Sequence, residues 1–372
     1  MLAFLGSALQ GAIPASERQA LIDLYNATNG DSWTNNSGWK SGGAFSASGT
    51  EHLWYGVIIP SPYTHVTGID LHANNLVGTL PASIDDFPLL TSLNLHTNTL
   101  SSTLPTELGN LVNLTVLHLY NNAFTGSLPS SLGNLTHLVQ LRAHENQLSG
   151  SIPTTLGTMA SLQELSLHTN GFTGALPTQL GSLAALQILD VHANGLNQAL
   201  PASLGSLTNL KSLLLQGNAL PGSIPAGWSG MAALEYLFLS NNQLSGSIPS
   251  SLSSLTHLIS LKLNGNGLTG AIPSIFGGMT SLVTLDLSQN HLENVIPTNM
   301  GSLAALQNLA LYSNKLRGPI PTSLTSLTNL SATETAIGYN ALYTSNSGLI
   351  TFLNAKDPDW AVTQTVAPTS VT

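Results

Sequence analysis

The first residues to stand out for their chemistry are histidines that recur at a fixed interval. His72, His96, His144, His168 and His192 fall in one column with a spacing of 24 residues or its double, and five of the eleven histidines belong to it. Tyr120 fills the same column where a histidine is absent, and His118 stands two residues before it. Imidazole changes charge near neutral pH, can donate or accept hydrogen bonds, and ligates metal ions. Asp70 and Asp190 precede His72 and His192 by two residues. In an extended segment that spacing puts both side chains on one face.

Several readings fit such a column. A row of rings can recognise a polar partner. Neighbouring imidazoles can also capture zinc or nickel, but no fixed carboxylate or cysteine completes a closed ligand shell. A histidine duplicated with an ancestral repeat gives the same column with no function at all. Asp190, His192 and a nearby serine can be assembled on paper into a catalytic dyad. An open sheet surface, however, supplies neither water exclusion nor an oxyanion site. With no phosphate-binding loop and no nucleophile motif, the chain reads as non-enzymatic, and no metal or cofactor is assigned to it.

The column exists because the sequence repeats. Asparagines stand at 74, 98, 122, 146, 170, 194, 218, 242, 266, 290 and 314, each 24 residues from the last. A proline follows each by seven residues, from Pro81 to Pro321. Around Asn122, Leu114, Leu117 and Leu119 precede and Phe124, Leu128, Leu132 and Leu135 follow. Alternating leucines define a short strand with Leu117 and Leu119 inward. The asparagine amide carries donors and an acceptor, so a buried column of them can bond backbone groups of adjacent coils. Proline fixes φ where no ladder donor is needed. Gly109, Gly133, Gly157, Gly181 and Gly205 mark either close packing or a special backbone angle. Each coil inserts about seven apolar side chains, at roughly 1.5–3 kcal/mol per fully buried residue. One coil cannot hide that surface alone, so stability comes from stacking.

In this frame, the positions two, four and six residues before each asparagine face solvent on one sheet. Strands lie roughly 4.8 Å apart, so the rings form a stripe with one histidine in each of the first six coils. Further along the same face, Leu214, Tyr236 and Phe238 are expected to form an exposed apolar patch. Arg142, Glu145, Glu164 and His168 make a charged cluster that also reads as ordinary solvated ion pairs. The candidate ligand-binding residues are therefore His72, His96, His118, Tyr120, Arg142, His144, His168, Asp190, His192, Leu214, Tyr236 and Phe238.

The composition narrows the partners. The formal net charge is −9 and charged residues make up 7% of the chain. Without a basic stripe, general nucleic-acid binding is excluded. No stretch reaches the roughly 18 apolar residues of a membrane-spanning helix. The absence of cysteine rules out disulfides and thiolate sites and leaves the compartment open.

The pattern LxxLxLxxNxLxGxIPxxLGxLxxL, seen here as LQELSLHTNGFTGALPTQLGSLAAL, resembles the plant-type class of leucine-rich repeats. The match runs over about residues 66–330. ERQALIDLYNATNGDSWTNNSGW, LWYGVII and HVTGIDLHANNL resemble the cap that precedes such repeats. Plant receptors usually carry a cysteine pair there, so this chain is more similar to the cysteine-free bacterial and algal members. The resemblance implies an α/β fold: a curved right-handed solenoid with a parallel β-sheet on its concave face, short 3-10 turns on the convex side and a second short sheet. It also implies that binding, and not catalysis, is the usual activity.

The expected organisation is a leader remnant at 1–15, an N-terminal cap at 16–65, eleven repeats at 66–330, an irregular last repeat with a cap helix at 331–360, and a linker-like tail at 361–372. Ser16 is expected to cap the first helix, and Trp33, Trp39 and Trp54 to cover the first coil. The chain is expected to act as a monomeric, extracellular or cell-surface module. Its expected partner is a protein, a peptide or an extracellular glycan, with no membrane insertion. An alternative rests on Thr125, Ser127, Ser149, Ser151, Ser245 and Ser247, a hydroxyl array that could match ice. Pro221, Glu293, Arg317 and Pro319 interrupt it.

Overall fold

A computed structural model describes residues 12–364. Residues 1–11 of the expected leader and 365–372 of the expected tail lie outside the described residues. The chain divides into two compact units, Met1–Phe172 and Thr173–Thr372.

The first unit begins with α1, Ala15–Ala27. Ser16 does not cap it. Pro14 holds the cap position with φ −53°, no side chain makes the cap bond, and Ser16 lies inside the first turn. A proline restricted to that φ is already suited to helix entry. Glu17 in that turn points inward and is fully buried. Its carboxylate accepts from His65 Nδ1 at 2.6 Å and from the Val66 backbone N–H at 2.7 Å. Arg18, one residue on, pairs with Glu51 and lies over the Trp54 ring. Trp33, Trp39 and Trp54 are buried, and they pack with Tyr25 and Phe45 at centroid distances of 4.7–6.2 Å.

In this unit the first sheet starts with Val57–Ile58, antiparallel to Gly68–Asp70. Parallel strands Ser92–Asn94, Val116–His118, Gln140–Arg142 and Glu164–Ser166 follow in register. Their central leucines, Leu93, Leu117, Leu141 and Leu165, are fully buried. On the other side of each coil Thr99–Thr103, Ala123–Gly126 and Gln147–Gly150 form a second parallel sheet. A 3-10 turn closes each coil. Each proline heads one, and its carbonyl accepts the first bond of the turn, as from Leu132 N–H to Pro129 at 3.1 Å.

The second unit repeats the plan. Ile188–Asp190, Ser212–Leu214, Tyr236–Phe238, Ser260–Lys262, Thr284–Asp286, Asn308–Ala310 and Thr335–Ala336 are parallel and in register. Its second sheet is split: Gly195–Leu196 does not continue into Pro221–Gly222. The next position after Asn197 is Gln198. The neighbouring coils carry Gly174 and Gly222 there, at φ 79° and 80°. The glycines of the 3-10 turns serve a different purpose. A Cβ on Gly109, Gly133 or Gly181 would stand 2.3–2.5 Å from a carbonyl oxygen of the next coil, so they are there for close approach. α2, Ser347–Lys356, closes this unit with Leu349 and Leu353 buried. Asn346 caps it, accepting from Leu349 N–H at 2.9 Å. No helix among the described residues is long and apolar enough to cross a membrane.

The asparagines knit each unit together. Asn146 Oδ1 accepts from Phe124 N–H of the preceding coil at 3.0 Å. Its Nδ2 donates to Leu119 of that coil and to Ala143 and His144 of its own, at 3.1–3.2 Å. The ladder starts on the cap, where Asn74 Oδ1 accepts from Asn35 N–H at 2.7 Å. Asn340 keeps the role after a coil two residues longer, accepting from Leu316 N–H at 3.0 Å. Gln364 Oε1 ends the ladder by accepting from Leu342 N–H at 3.0 Å.

Asn146→Ala leaves several half-buried backbone groups without partners. It is expected to lower the unfolding free energy by about 2–4 kcal/mol. Ser149→Ala, at an exposed position, should change it by no more than about 0.5 kcal/mol. Urea unfolding followed by circular dichroism measures both.

Candidate functional site

The register of the first sheet decides how the rings meet. Each strand of the first unit ends two residues before a tight turn that leads into the asparagine, so position two before Asn lands at the same height in every coil. His72, His96, Tyr120, His144 and His168 consequently stack face to face. Centroid distances and interplanar angles are 4.8 Å and 25° for His72–His96, and 4.2 Å and 11° for His96–Tyr120. For Tyr120–His144 they are 4.4 Å and 10°, and for His144–His168 4.2 Å and 19°. The π faces cover one another, and the column presents ring edges.

Each imidazole is held by a second group. His72 Nδ1 lies 2.6 Å from Asp70 Oδ1. A carboxylate only accepts, so the ring donates there and Nε2 of neutral His72 carries the lone pair. Asp70 is itself fixed by Asn94 Nδ2 at 2.9 Å. His96 and His168 meet the hydroxyls of Thr97 and Thr169 at 2.9 and 3.1 Å. His144 meets Ser166, a buried hydroxyl, at 3.1 Å. His118 lies in the neighbouring column and donates through Nε2 to Gln140 Oε1 at 3.1 Å. Beside it Arg142 makes a two-pronged pair with Glu164, both bonds at 2.7 Å. That geometry is the strong form of a carboxylate–guanidinium contact, and Glu164 holds the guanidinium pKa above its ordinary value.

The electrostatics disfavour positive charge on part of this face. Burial lowers the His96 pKa from the ordinary 6.5, and the adjacent His72 lowers it further. Burial, then the nearby Arg142 charge, lowers His118. Stacked rings that share one solvent boundary are poor sites for two positive charges.

In the second unit Asp190 and His192 repeat the geometry of Asp70 and His72, with Oδ1 to Nδ1 again 2.6 Å. Asp190 is buried, whereas Asp70 is half-buried. Leu214, Tyr236 and Phe238 are half-buried as well, and this corrects the expectation of an exposed patch. They shield one another across the register Ser212–Tyr236 and Leu214–Phe238. The Tyr236 and Phe238 rings meet edge to face at 6.2 Å, and Lys262 Nζ sits 4.9 Å from the Phe238 centroid. Among the described residues no group of three or more His, Asp or Glu side chains is placed to hold a metal ion.

Comparison with known proteins matches this architecture. Family models for "Leucine-rich repeat region", "Leucine Rich Repeat" and "Leucine rich repeat" match residues 82–174, 233–255 and 256–316. A leucine-rich-repeat protein of Leptospira interrogans is 31% identical, covering 76% of this chain and 75% of its own, with a TM-score of 0.59. The chain is a leucine-rich-repeat protein of the plant-type class. The Arabidopsis receptor kinase HAESA, solved with the peptide hormone IDA and a co-receptor, is 33% identical, covering 88% of this leucine-rich-repeat chain and 54% of its own, with a TM-score of 0.77. This chain spans about half the length of the plant receptor chains it matches. A plant ice-binding protein shares the fold at 23% identity, covering 90% and 96%, with a TM-score of 0.64. No curated protein matches the sequence.

The sequence pattern places the five rings in one column at near-contact spacing, and the structure stacks them face to face. The pattern gives no role to Asn94, Gln140, Ser166 and Lys262, each of which positions a candidate residue. The signal was there, because residues 22 to 24 apart are cross-strand neighbours in this repeat.

His96 and His118 bind protons less well folded than unfolded, so the unfolded state gains protons first as pH falls. Folding stability should therefore be complete above the ordinary imidazole pKa of 6.5 and decline as pH falls below it, until both groups are protonated in the folded state too. Urea midpoints from pH 7.5 to 4.5 test this. The His96→Gln, His118→Gln double variant should show a shallower decline than the parent.

Proposed function

We propose that this leucine-rich-repeat protein is a ligand-binding module, displayed outside the cell, that engages a peptide or a peptide-like segment of a protein. The stacked ring column of the first unit is the observation that carries the reading. Five rings in mutual contact at 4.2–4.8 Å are ordered before any partner arrives, which reduces the entropy lost on binding. Aromatic residues are the usual anchors of interaction surfaces. HAESA, whose repeats this chain resembles, was solved with a peptide hormone, and its leucine-rich-repeat ectodomain with an extended form of that peptide.

Ring edges also favour a peptide over a glycan. Sugars stack on exposed aromatic faces, and here the faces of the column are turned to each other. What remains is a line of nitrogen atoms and one phenol, suited to the polar groups of a polypeptide. In the second unit, Tyr236, Phe238 and Lys262 offer a separate, smaller contact.

A second reading has its own support on the other sheet. In the first unit, Ser101, Thr125 and Ser149 form one hydroxyl column, and Thr79, Thr103, Ser127 and Ser151 another. Regular hydroxyls with few charges suit an ice surface. In the second unit Pro221, Glu293, Arg317 and Pro319 break both columns, so the array is short, and we rank this reading below peptide binding.

Random-peptide display panned on the full chain separates the two. Selected peptides should lose at least about tenfold in affinity for the Tyr120→Ala, His144→Ala double variant, a change of roughly 1.4 kcal/mol or more. Unchanged affinities would remove the column from the binding site. Ice recrystallisation inhibition that disappears in Ser149→Lys would instead favour the hydroxyl array.

A further inference from the structure

The sign of the charge that this column prefers can be read from the groups around it. The strand Gly68–Asp70 contributes Asp70, and Ser92–Asn94 contributes no charged group. Val116–His118 contributes His118, Gln140–Arg142 contributes Arg142, and Glu164–Ser166 contributes Glu164. The turn after His144 adds exposed Glu145. Three carboxylates thus face one guanidinium, and that guanidinium is already occupied by Glu164 through two 2.7 Å bonds. The whole chain carries a formal charge of −9. Asp70 also fixes the tautomer of His72, so its outer nitrogen accepts hydrogen bonds and does not donate them.

We propose that the ring column of the first unit docks an extended peptide segment rich in lysine or arginine near neutral pH and releases it on acidification. The proposal rests on the peptide-binding reading above and adds the chemistry and the control of that site. Near pH 7.5 a basic side chain meets the outer lone pair of His72 and the carboxylates of Asp70 and Glu145, while Glu164 is neutralised by Arg142.

The release follows from the stacking order. Tyr120 separates the imidazoles into two pairs, His72 with His96 and His144 with His168. Within a pair the rings are 4.8 and 4.2 Å apart, so the first proton opposes the second. Acidification adds positive charge to a row of imidazoles, because that side chain changes charge in this range. Each proton adds positive charge, and on His72 it also turns the accepting nitrogen into a donor; both changes reject lysine and arginine. Burial and the Arg142 charge hold the His118 pKa below its ordinary value, which opposes its part in this step.

The test uses the full chain and two labelled nonapeptides, one alternating Lys with Gly and the other Glu with Gly. Fluorescence anisotropy is read at pH 7.5 and 5.5 in physiological salt, with circular dichroism confirming that each variant is folded. The Lys peptide should bind at pH 7.5 and weaken at least about tenfold at pH 5.5, while the Glu peptide should not bind at pH 7.5. Asp70→Asn should weaken the Lys peptide at pH 7.5. The His72→Gln, His96→Gln, His144→Gln, His168→Gln variant should bind it more weakly at pH 7.5 and lose the pH dependence, so that its affinities at the two pH values converge. A preference for the Glu peptide, a flat wild-type profile, or Lys-peptide binding untouched by these substitutions would each overturn the proposal. So would no binding of either peptide. In all these cases the display experiment still decides separately whether the column binds peptides at all.

Discussion

A single amide in each coil fixes the phase of everything else. Asn98, Asn122, Asn146 and Asn170 each accept a backbone N–H from the coil before and donate to carbonyls in both coils. These groups sit against an apolar stack in which the leucines are nearly all fully buried. Slipping a coil by one residue would leave a row of buried donors and acceptors unpaired, and each such group is costly. The leucines supply most of the free energy, but they tolerate small shifts. The amides do not, so they hold successive strands in register and bring equivalent side chains within contact distance.

That register makes chemistry out of repetition. A side chain at a dictated position does a structural job in every coil, while a side chain two or four residues before the asparagine is left to vary. Once such a position holds a ring, the next coil sets another ring directly on it. The two Asp-x-His segments show how far this goes. Asp70–His72 and Asp190–His192 lie in different units and share the same 2.6 Å bond. Their surroundings differ: the Asp70 side chain is 43% exposed and that of Asp190 11%. The coil copies the geometry of a pair, and the neighbours in its column decide what that pair can touch.

This division also explains what could be read in advance. The asparagine phase, the inward leucines, the prolines heading the 3-10 turns and the cap tryptophans all follow from period and residue type. Features set by packing against a specific neighbour did not. Ser16 looked like a helix cap, but Pro14 begins the helix earlier and Glu17 is drawn inward by His65 and Val66. Leu214, Tyr236 and Phe238 do face solvent, as their phase requires. They are nonetheless half-buried, packed beside one another and under Lys262, which a single-strand pattern does not show. Gln364 takes over the asparagine's work at the end of the ladder with a longer side chain and no repeat motif around it.

The two sheets of a coil impose different demands on any partner, and this separates the functional readings physically. A hydroxyl surface that orders water needs many equivalent positions in an unbroken lattice, so one proline or one charge in the array weakens the whole. The second unit has both. A ring column needs only local continuity, since each contact depends on the coils directly beside it. Charged residues are scarce in this chain, at 7%, so a few carboxylates dominate the field over the first sheet. In such a setting Asp70 acts twice, as a charge that a partner meets and as the acceptor that fixes which nitrogen of His72 faces outward. Removing it would change both the field and the hydrogen-bonding polarity of the ring edge. An ordinary surface carboxylate contributes only the first of these, and that difference ties the recognition chemistry of the column to the one residue that orients its first ring.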